Sequence, residues 1–221
     1  MALLRDLPAF DRSLKQGQYE PNRFMPRRLE RLTLGLVGLG RIGRAVADRA
    51  KTFGLNVLAT SRSAEKQDGA IRLLPLEALL READVVSLHL PLNPQTRHII
   101  NRKRLSLLKK TAYLVNTSRG CLIDPVSLLE ALDAGLLAGA ALDVFEHEPP
   151  LPNDPLVNHP KVIAMPHVAF RSAEALIELR TRAAQQIADV LAGRVPEHVV
   201  NPEVFQSRDR QGAYPDRPNA S

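Results

Sequence analysis

From Thr33 onward, short apolar runs alternate with helix-like segments, which is how a parallel sheet with crossover helices is written into a chain. The runs predict strands at 33–37, 56–59, 84–88, 112–116, 140–144 and 162–164. Helices are predicted between them at 42–53, 76–82, 102–108 and 125–134, the last stopped by Gly135, a residue that commonly ends a helix. Six strands with intervening helices make a doubly wound α/β sheet. Residues 1–31 read as an arm or linker: a short amphipathic piece, Ala2 to Arg5, is broken by Pro8, and a polar stretch with Gly17, Pro21 and Pro26 follows. Past Pro166 a long helix is predicted at 172–192, with Ala173, Leu176, Ile177, Ala184, Ile187 and Leu191 on one face that needs a cover. From Gln206 the chain has almost no apolar content and is expected to be disordered. The organisation is thus an arm at 1–31, a body at 32–168, a helical segment at 169–205 and a tail at 206–221, without internal repeats.

Composition sharpens this picture by exclusion. With 221 residues, 44% of them apolar, the chain has enough material for a substantial core. No apolar run reaches the ~20 residues of a membrane span, and the charges in MALLRDLPAFDR fall where a signal peptide needs apolar residues. A soluble, cytoplasmic protein is the expectation. Cys121 is the single cysteine, which excludes an intrachain disulfide and a cysteine-rich zinc site and fits a reducing compartment. The formal charge of +6 raises the question of nucleic acid, but aromatic residues are only 4% and the bases are mostly interleaved with acids. Arg27, Arg28 and Arg31 read as a solvated linker face, and an anionic cofactor or substrate accounts for the basic excess equally well. The histidines are scattered without metal-ligand spacing, so no metal is expected.

The strongest local signal is Gly38-Leu39-Gly40-Arg41-Ile42-Gly43, a GxGxxG that follows a predicted strand and opens a predicted helix. The first glycine permits the tight turn, the second lets a pyrophosphate approach the backbone, and the third lets helix and strand pack closely; the helix N-terminus then faces the anion. The body is therefore read as a dinucleotide-binding domain of the Rossmann type. The next strand should end near the adenosine ribose, where an NAD site usually carries an acid. Here stand Thr60-Ser61-Arg62-Ser63, with no acid to repel a 2′-phosphate and with a guanidinium and hydroxyls to bind one, so NADP(H) is favoured over NAD(H), with Ser61, Arg62 and Ser63 as the contacts.

Three blocks then resemble the D-isomer-specific 2-hydroxyacid dehydrogenase family, over residues 34–202: LGLVGLGRIGRAVADRAKTFG, HLPLNPQTRHIIN at 89–101, and the stretch from LVNTSRGCLID through AALDVFEHEPP to MPHVAF. Their order and separations make the resemblance specific. It implies reversible hydride transfer between a nicotinamide cofactor and a small 2-keto or D-2-hydroxy acid, with Arg119, Glu148 and His167 as catalytic residues. Each predicted position lies at the C-terminal end of a strand, where doubly wound sheets bind ligands. Reduction puts negative charge on the carbonyl oxygen, and an arginine can hold a planar carboxylate beside it. A histidine titrates near neutral pH and can deliver the proton, while an adjacent glutamate orients it and stabilises its charged form. The resemblance also implies that Arg41 and Ile42 meet the pyrophosphate, that His89, Leu90, Pro91 and Thr96 belong to the cofactor cleft, and that Thr117, Ser118, Arg119 and His167 lie beside the nicotinamide. Asp143 would hold the nicotinamide amide; by itself it also reads as a strand-end carboxylate making a local hydrogen bond.

One departure stands out. Proteins of this resemblance carry a substrate domain built mostly before the cofactor domain and completed by the C-terminal helix, whereas about thirty residues precede the first predicted strand here. The 169–205 segment is accordingly expected to be a remnant of a second, substrate domain. Two readings follow: a dehydrogenase of the glyoxylate or hydroxypyruvate reductase kind, or a truncated, catalytically impaired form acting as an NADP(H)-binding or interaction module. Weak or undetectable turnover is expected of the short chain alone, because rate depends on positioning the substrate as well as on having the acid. The ALLRDL arm and the apolar helix face suggest a homodimer.

Overall fold

A computed structural model of the chain describes residues 1–22, 25–61, 67–68 and 71–203. They divide into two compact units, one ending at Ala169 and the other beginning at Phe170. In the first unit the strands are β1 (Thr33–Val37), β2 (Asn56–Thr60), β3 (Gln67–Asp68), β4 (Ile71–Leu73), β5 (Val85–Leu88), β6 (Tyr113–Asn116), β7 (Gly139–Leu142) and β8 (Val162–Ala164). They form one sheet in the order β3-β4-β2-β1-β5-β6-β7-β8, parallel throughout except that β3 runs antiparallel to β4. The helices are α1 (Ala2–Arg5), α2 (Leu7–Lys15), α3 (Arg41–Thr52), α4 (Leu76–Glu82), α5 (Arg102–Leu105) and α6 (Pro125–Asp133).

The alternation of side chains along each strand explains why helices cover both faces. Leu34 and Leu36 of β1 join Val57, Ala59 and Val85 in one apolar cluster, whereas Val37, Leu58, Val86 and Leu88 enter the other. Gly35 is needed between them. A Cβ there would lie 2.6 Å from Leu79 Cδ2 and 2.9 Å from Ala83 Cβ, so its absence lets α4 seat closely on β1.

Six strands are predicted from the sequence and eight are present among the described residues. The additional pair, β3 and β4, escapes prediction because β4 offers only one buried apolar residue, Ile71, beside exposed Arg72. The predicted helix at 102–108 stops at Leu105. The piece Ala2–Arg5 does end, at Asp6 with φ +47°, but the residue that ends it is not Pro8. Pro8 lies in the first turn of α2, where a helix needs no amide donor, and Leu4 of α1 is buried in the cluster that holds Leu32 and Leu34. The arm is thus partly helical and packed on the body's own core.

Asp84, just before β5, ties this end of the sheet together. Its side chain is 8% exposed; Oδ2 accepts the Thr33 amide at 2.9 Å, and Oδ1 receives Arg27 at 3.1 Å and Lys109 at 3.2 Å. Arg27, read from sequence as part of a solvated face, therefore has a buried partner. Burial pushes the Asp84 carboxyl up, but the Thr33 amide, Lys109 and Arg27 outweigh it and hold it below its ordinary value. Asp84→Ala is expected to cost about 2 kcal/mol, below the range for a fully buried pair because both cations are partly solvated. Because the folded carboxyl titrates lower than the unfolded one, this stabilisation is present above about pH 4 and is lost as pH falls through the folded pKa. Urea titrations at pH 7 and in acid should show the two proteins converging as the pH falls.

The second unit contains α7 (Ala173–Leu191), begun by Ser172, whose Oγ accepts the Ala175 amide at 3.0 Å. None of its residues is buried, and Ile177, Ile187 and Leu191 are exposed. Among the described residues no helix is long and apolar enough to cross a membrane.

Candidate active site

Strand order reverses at β1, which has β2 on one side and β5 on the other, and the crevice beyond their C-terminal ends is where a doubly wound sheet receives ligands. The glycine turn forms one wall. Gly38 adopts φ +104°, and a Cβ on it would lie 2.3 Å from the His89 carbonyl oxygen; a Cβ on Gly43 would lie 2.4 Å from the Gly38 oxygen. At Gly40 a Cβ would meet no protein atom within 4 Å. That open space adjoins the first turn of α3, whose N-cap Gly40 supplies no side-chain acceptor, so backbone amides are left for an anion. A cleft of about 770 Å³ is lined by Gly40, Arg41, Ile42, His89, Leu90, Pro91, Thr117, Ser118 and Arg119, together with the outward face of α3 as far as Arg49. These residues and the open approach at Gly40 fit an extended dinucleotide. His89 is held 3.0 Å from Ser87 Oγ, and burial lowers its pKa, favouring the neutral imidazole.

The three candidate catalytic residues come from separate loops on this rim. Asn116, buried at the end of β6, donates from Nδ2 to the Arg119 carbonyl at 2.9 Å and accepts the Ser118 amide on Oδ1 at 3.0 Å. Arg119 is exposed, with Nη1 donating to the Ser118 carbonyl at 2.7 Å. Gly120 then presses against the loop after β7, which carries Glu148. Glu148 Oε1 accepts the Phe145 amide at 3.0 Å, and Oε2 lies 2.8 Å from His167 Nδ1. Burial raises the Glu148 pKa, but the His167 and Phe145 hydrogen bonds and the charges of His167 and Arg119 bring it below the ordinary value, so Glu148 is an anion well into the acid range. His167 has φ +54°, an unusual backbone for a residue with a side chain. Asp143 sustains it: its carbonyl accepts the His167 amide at 2.8 Å, and its carboxylate oxygens accept the Val168 and Ala169 amides at 2.8 and 3.0 Å.

The family profile described as D-isomer specific 2-hydroxyacid dehydrogenase, NAD binding domain, matches residues 1–169. The chain belongs to this family. It is 42% identical over 213 residues to the D-3-phosphoglycerate dehydrogenase of Methanocaldococcus jannaschii, covering 94% of this chain and 40% of the relative. It is 46% identical over 180 residues to the glyoxylate reductase of Aeropyrum pernix, covering 80% and 53% respectively. Among solved structures, the D-lactate dehydrogenase of Lactobacillus jensenii with NAD+ superposes with a TM-score of 0.83 at 28% identity, over 90% of this chain and 65% of that one. The chain thus spans between two fifths and two thirds of the length of these relatives.

Within this family member, some candidate residues stand apart from the cleft lining. Thr96 is buried, its hydroxyl donating to the Pro91 carbonyl at 2.7 Å and accepting the Asn93 amide at 2.8 Å; it shapes the loop and does not line the cleft. The Asp143 carboxylate shows the hydrogen bonds of a strand-end group holding a turn. Ser61 follows β2, while Arg62 and Ser63 lie outside the described residues. Asn116 was not a sequence candidate; its signal is a lone amide closing the apolar run Tyr113–Asn116. Among the described residues no group of three His, Cys, Asp or Glu could hold a metal ion.

Proposed function

We propose that this site catalyses reversible interconversion of a small 2-keto acid and its D-2-hydroxy acid, with NADP(H) favoured as the cofactor. The observation that carries this reading is the Glu148–His167 pair, 2.8 Å apart on the same rim as the glycine turn and Arg119. Arg41, Ile42 and the first amides of α3 would hold the pyrophosphate, and Thr117 to Arg119 would flank the nicotinamide. The chemistry that a bound nicotinamide would supply is the hydride exchanged with the keto carbon. Arg119 grips the substrate carboxylate and offsets the charge that develops on the carbonyl oxygen. His167, its Nδ1 proton directed at Glu148, delivers a proton from Nε2 to that oxygen, and in oxidation takes it back. Glu148 stabilises the charged imidazole and fixes the tautomer.

The glyoxylate reductase of Aeropyrum pernix supports glyoxylate as the first substrate to try, and the sequence resemblance adds hydroxypyruvate as the second. The test is oxidation of NADPH and NADH by the purified chain with each acid. Substrate-dependent oxidation, slow and faster with NADPH than with NADH, supports the catalytic reading. Its absence for both cofactors, with NADPH still bound, would overturn the catalytic reading in favour of a cofactor-binding module. Arg62→Ser is expected to weaken NADPH about tenfold or more, the worth of one charge-assisted contact, and to leave NADH nearly unchanged. Equal losses for both cofactors would remove Arg62 from the 2′-phosphate site.

A further inference from the structure

Glu146 lies two residues before Glu148, and its side chain is only 16% exposed. Its Oε1 receives Arg97 Nη2 at 2.5 Å, and its Oε2 lies 3.3 Å from His98 Nε2. Both partners come from the loop between β5 and α5, far away in sequence. That loop is braced from within: Asn93 Oδ1 accepts the Gln95 and Thr96 amides at 3.0 Å, and Thr96 Oγ1 donates to the Pro91 carbonyl. It is also fastened to the Arg119 loop. The His98 amide donates to the Cys121 carbonyl at 2.8 Å, with His98 held at φ +47°, and Ile100 bridges to Ile123. Gly120 in turn abuts the Phe145 carbonyl and the Glu146 amide. Three loops of the rim therefore converge on Glu146, while the amide next to it in the chain, that of Phe145, is the one that Glu148 accepts.

We propose that Glu146 is a positioning residue: held between Arg97 and His98, it fixes the segment 145–148 so that Glu148 meets His167 in one orientation. This rests on the reading of Glu148 and His167 as catalytic. Glu146 touches neither substrate nor cofactor in that reading; it acts through Glu148. The arrangement also gives the carboxylate two donors from one rigid loop, which restricts it more than a single exposed ion pair would. Burial raises the Glu146 pKa, and the hydrogen bonds from Arg97 and His98 more than reverse this, so the anchor stays charged.

The test uses the full chain by NMR and by kinetics. In Glu146→Ala, hydrogen exchange of the Phe145 amide should rise about tenfold or more, and the Glu148 carboxyl should titrate at higher pH, with Leu114 and Asn116 amides of β6 exchanging as before. Where turnover is measured, kcat should fall roughly tenfold to a hundredfold with the NADPH Kd unchanged, as expected for a small misplacement of a catalytic pair. Arg97→Ala should produce part of the same change, and the double variant should add little to Glu146→Ala, because both remove one interaction. Glu146→Gln, which keeps an acceptor for Arg97, should restore part of the loss. Unaltered Phe145 exchange and Glu148 titration in Glu146→Ala would overturn the proposal. These two readouts need neither substrate nor cofactor, so they stand if no turnover is found. Conversely, turnover that His167→Ala abolishes and Glu146→Ala leaves intact would sink the positioning role alone.

Discussion

His167→Ala is expected to lower glyoxylate-dependent NADPH oxidation by about 10²- to 10⁴-fold, the usual contribution of a positioned general acid. NADPH affinity should change much less than kcat, because the glycine turn and the residues Arg41, Ile42 and His89 to Pro91 that line the rest of the cleft are untouched. The loss should therefore appear in kcat, measured by initial rates beside a fluorescence titration of NADPH. Alanine also sits poorly at φ +54°, so His167→Asn, which tolerates that backbone better, separates lost chemistry from a displaced turn. Since Glu148 is held anionic into the acid range, the pair persists as pH falls, and reduction should not fail through protonation of Glu148 near its ordinary value. A variant as fast as the parent would place the proton donor elsewhere.

Gly120→Ala should do the largest damage to the fold of any single methyl added at the rim. The new Cβ would lie 1.9 Å from the Phe145 carbonyl carbon, 2.0 Å from its oxygen and 2.4 Å from the Glu146 nitrogen. All three are backbone atoms, so no side-chain rotation relieves the clash, and the two loops must part. The upper end of the overpacking range, about 3 kcal/mol, is expected, with Tm lower by roughly 6–12 °C. Activity should fall further than stability, because the separation moves Arg119 away from Glu148. By contrast a Cβ at Gly193 meets nothing within 4 Å, leaving only the cost of φ +74°. Calorimetry with rate measurements on Gly120→Ala checks both halves; a Tm within a degree of the parent would show that the loops accommodate the methyl freely.

The six central and outer parallel strands were legible because each is a short apolar run, and the crossover helix before Gly135 because it ends at a recognisable stop. The dinucleotide turn was legible because its glycines answer to backbone contacts: Gly38 to His89 and Gly43 to Gly38. The antiparallel edge was not, since a two-residue strand has no periodicity. Pro8 misled because proline ends a helix in its interior and suits one in its first turn, and only the position within the helix tells them apart. Glu146 was invisible for another reason. Its partners Arg97 and His98 lie 49 and 48 residues away, and nothing in a linear pattern pairs one carboxylate among many with them. Thr96 shows the converse, a hydroxyl within a recognised block whose hydrogen bonds turn inward to its own loop.

The clamp of Asn116 on the Arg119 loop carries a consequence for how such a protein can change over time. Strand ladders are made of backbone and persist through most apolar exchanges, so Leu114 can drift among residues of similar volume. The turn at Ser118 and Arg119 is held, beside the bond from Ser118 Oγ to the Leu88 carbonyl, by one side-chain amide, which must offer a donor on one side and an acceptor on the other. Aspartate lacks the donor and leucine lacks both. In a library of random substitutions, then, tolerance along β6 should drop abruptly at its last residue, marking where the scaffold ends and the chemistry begins.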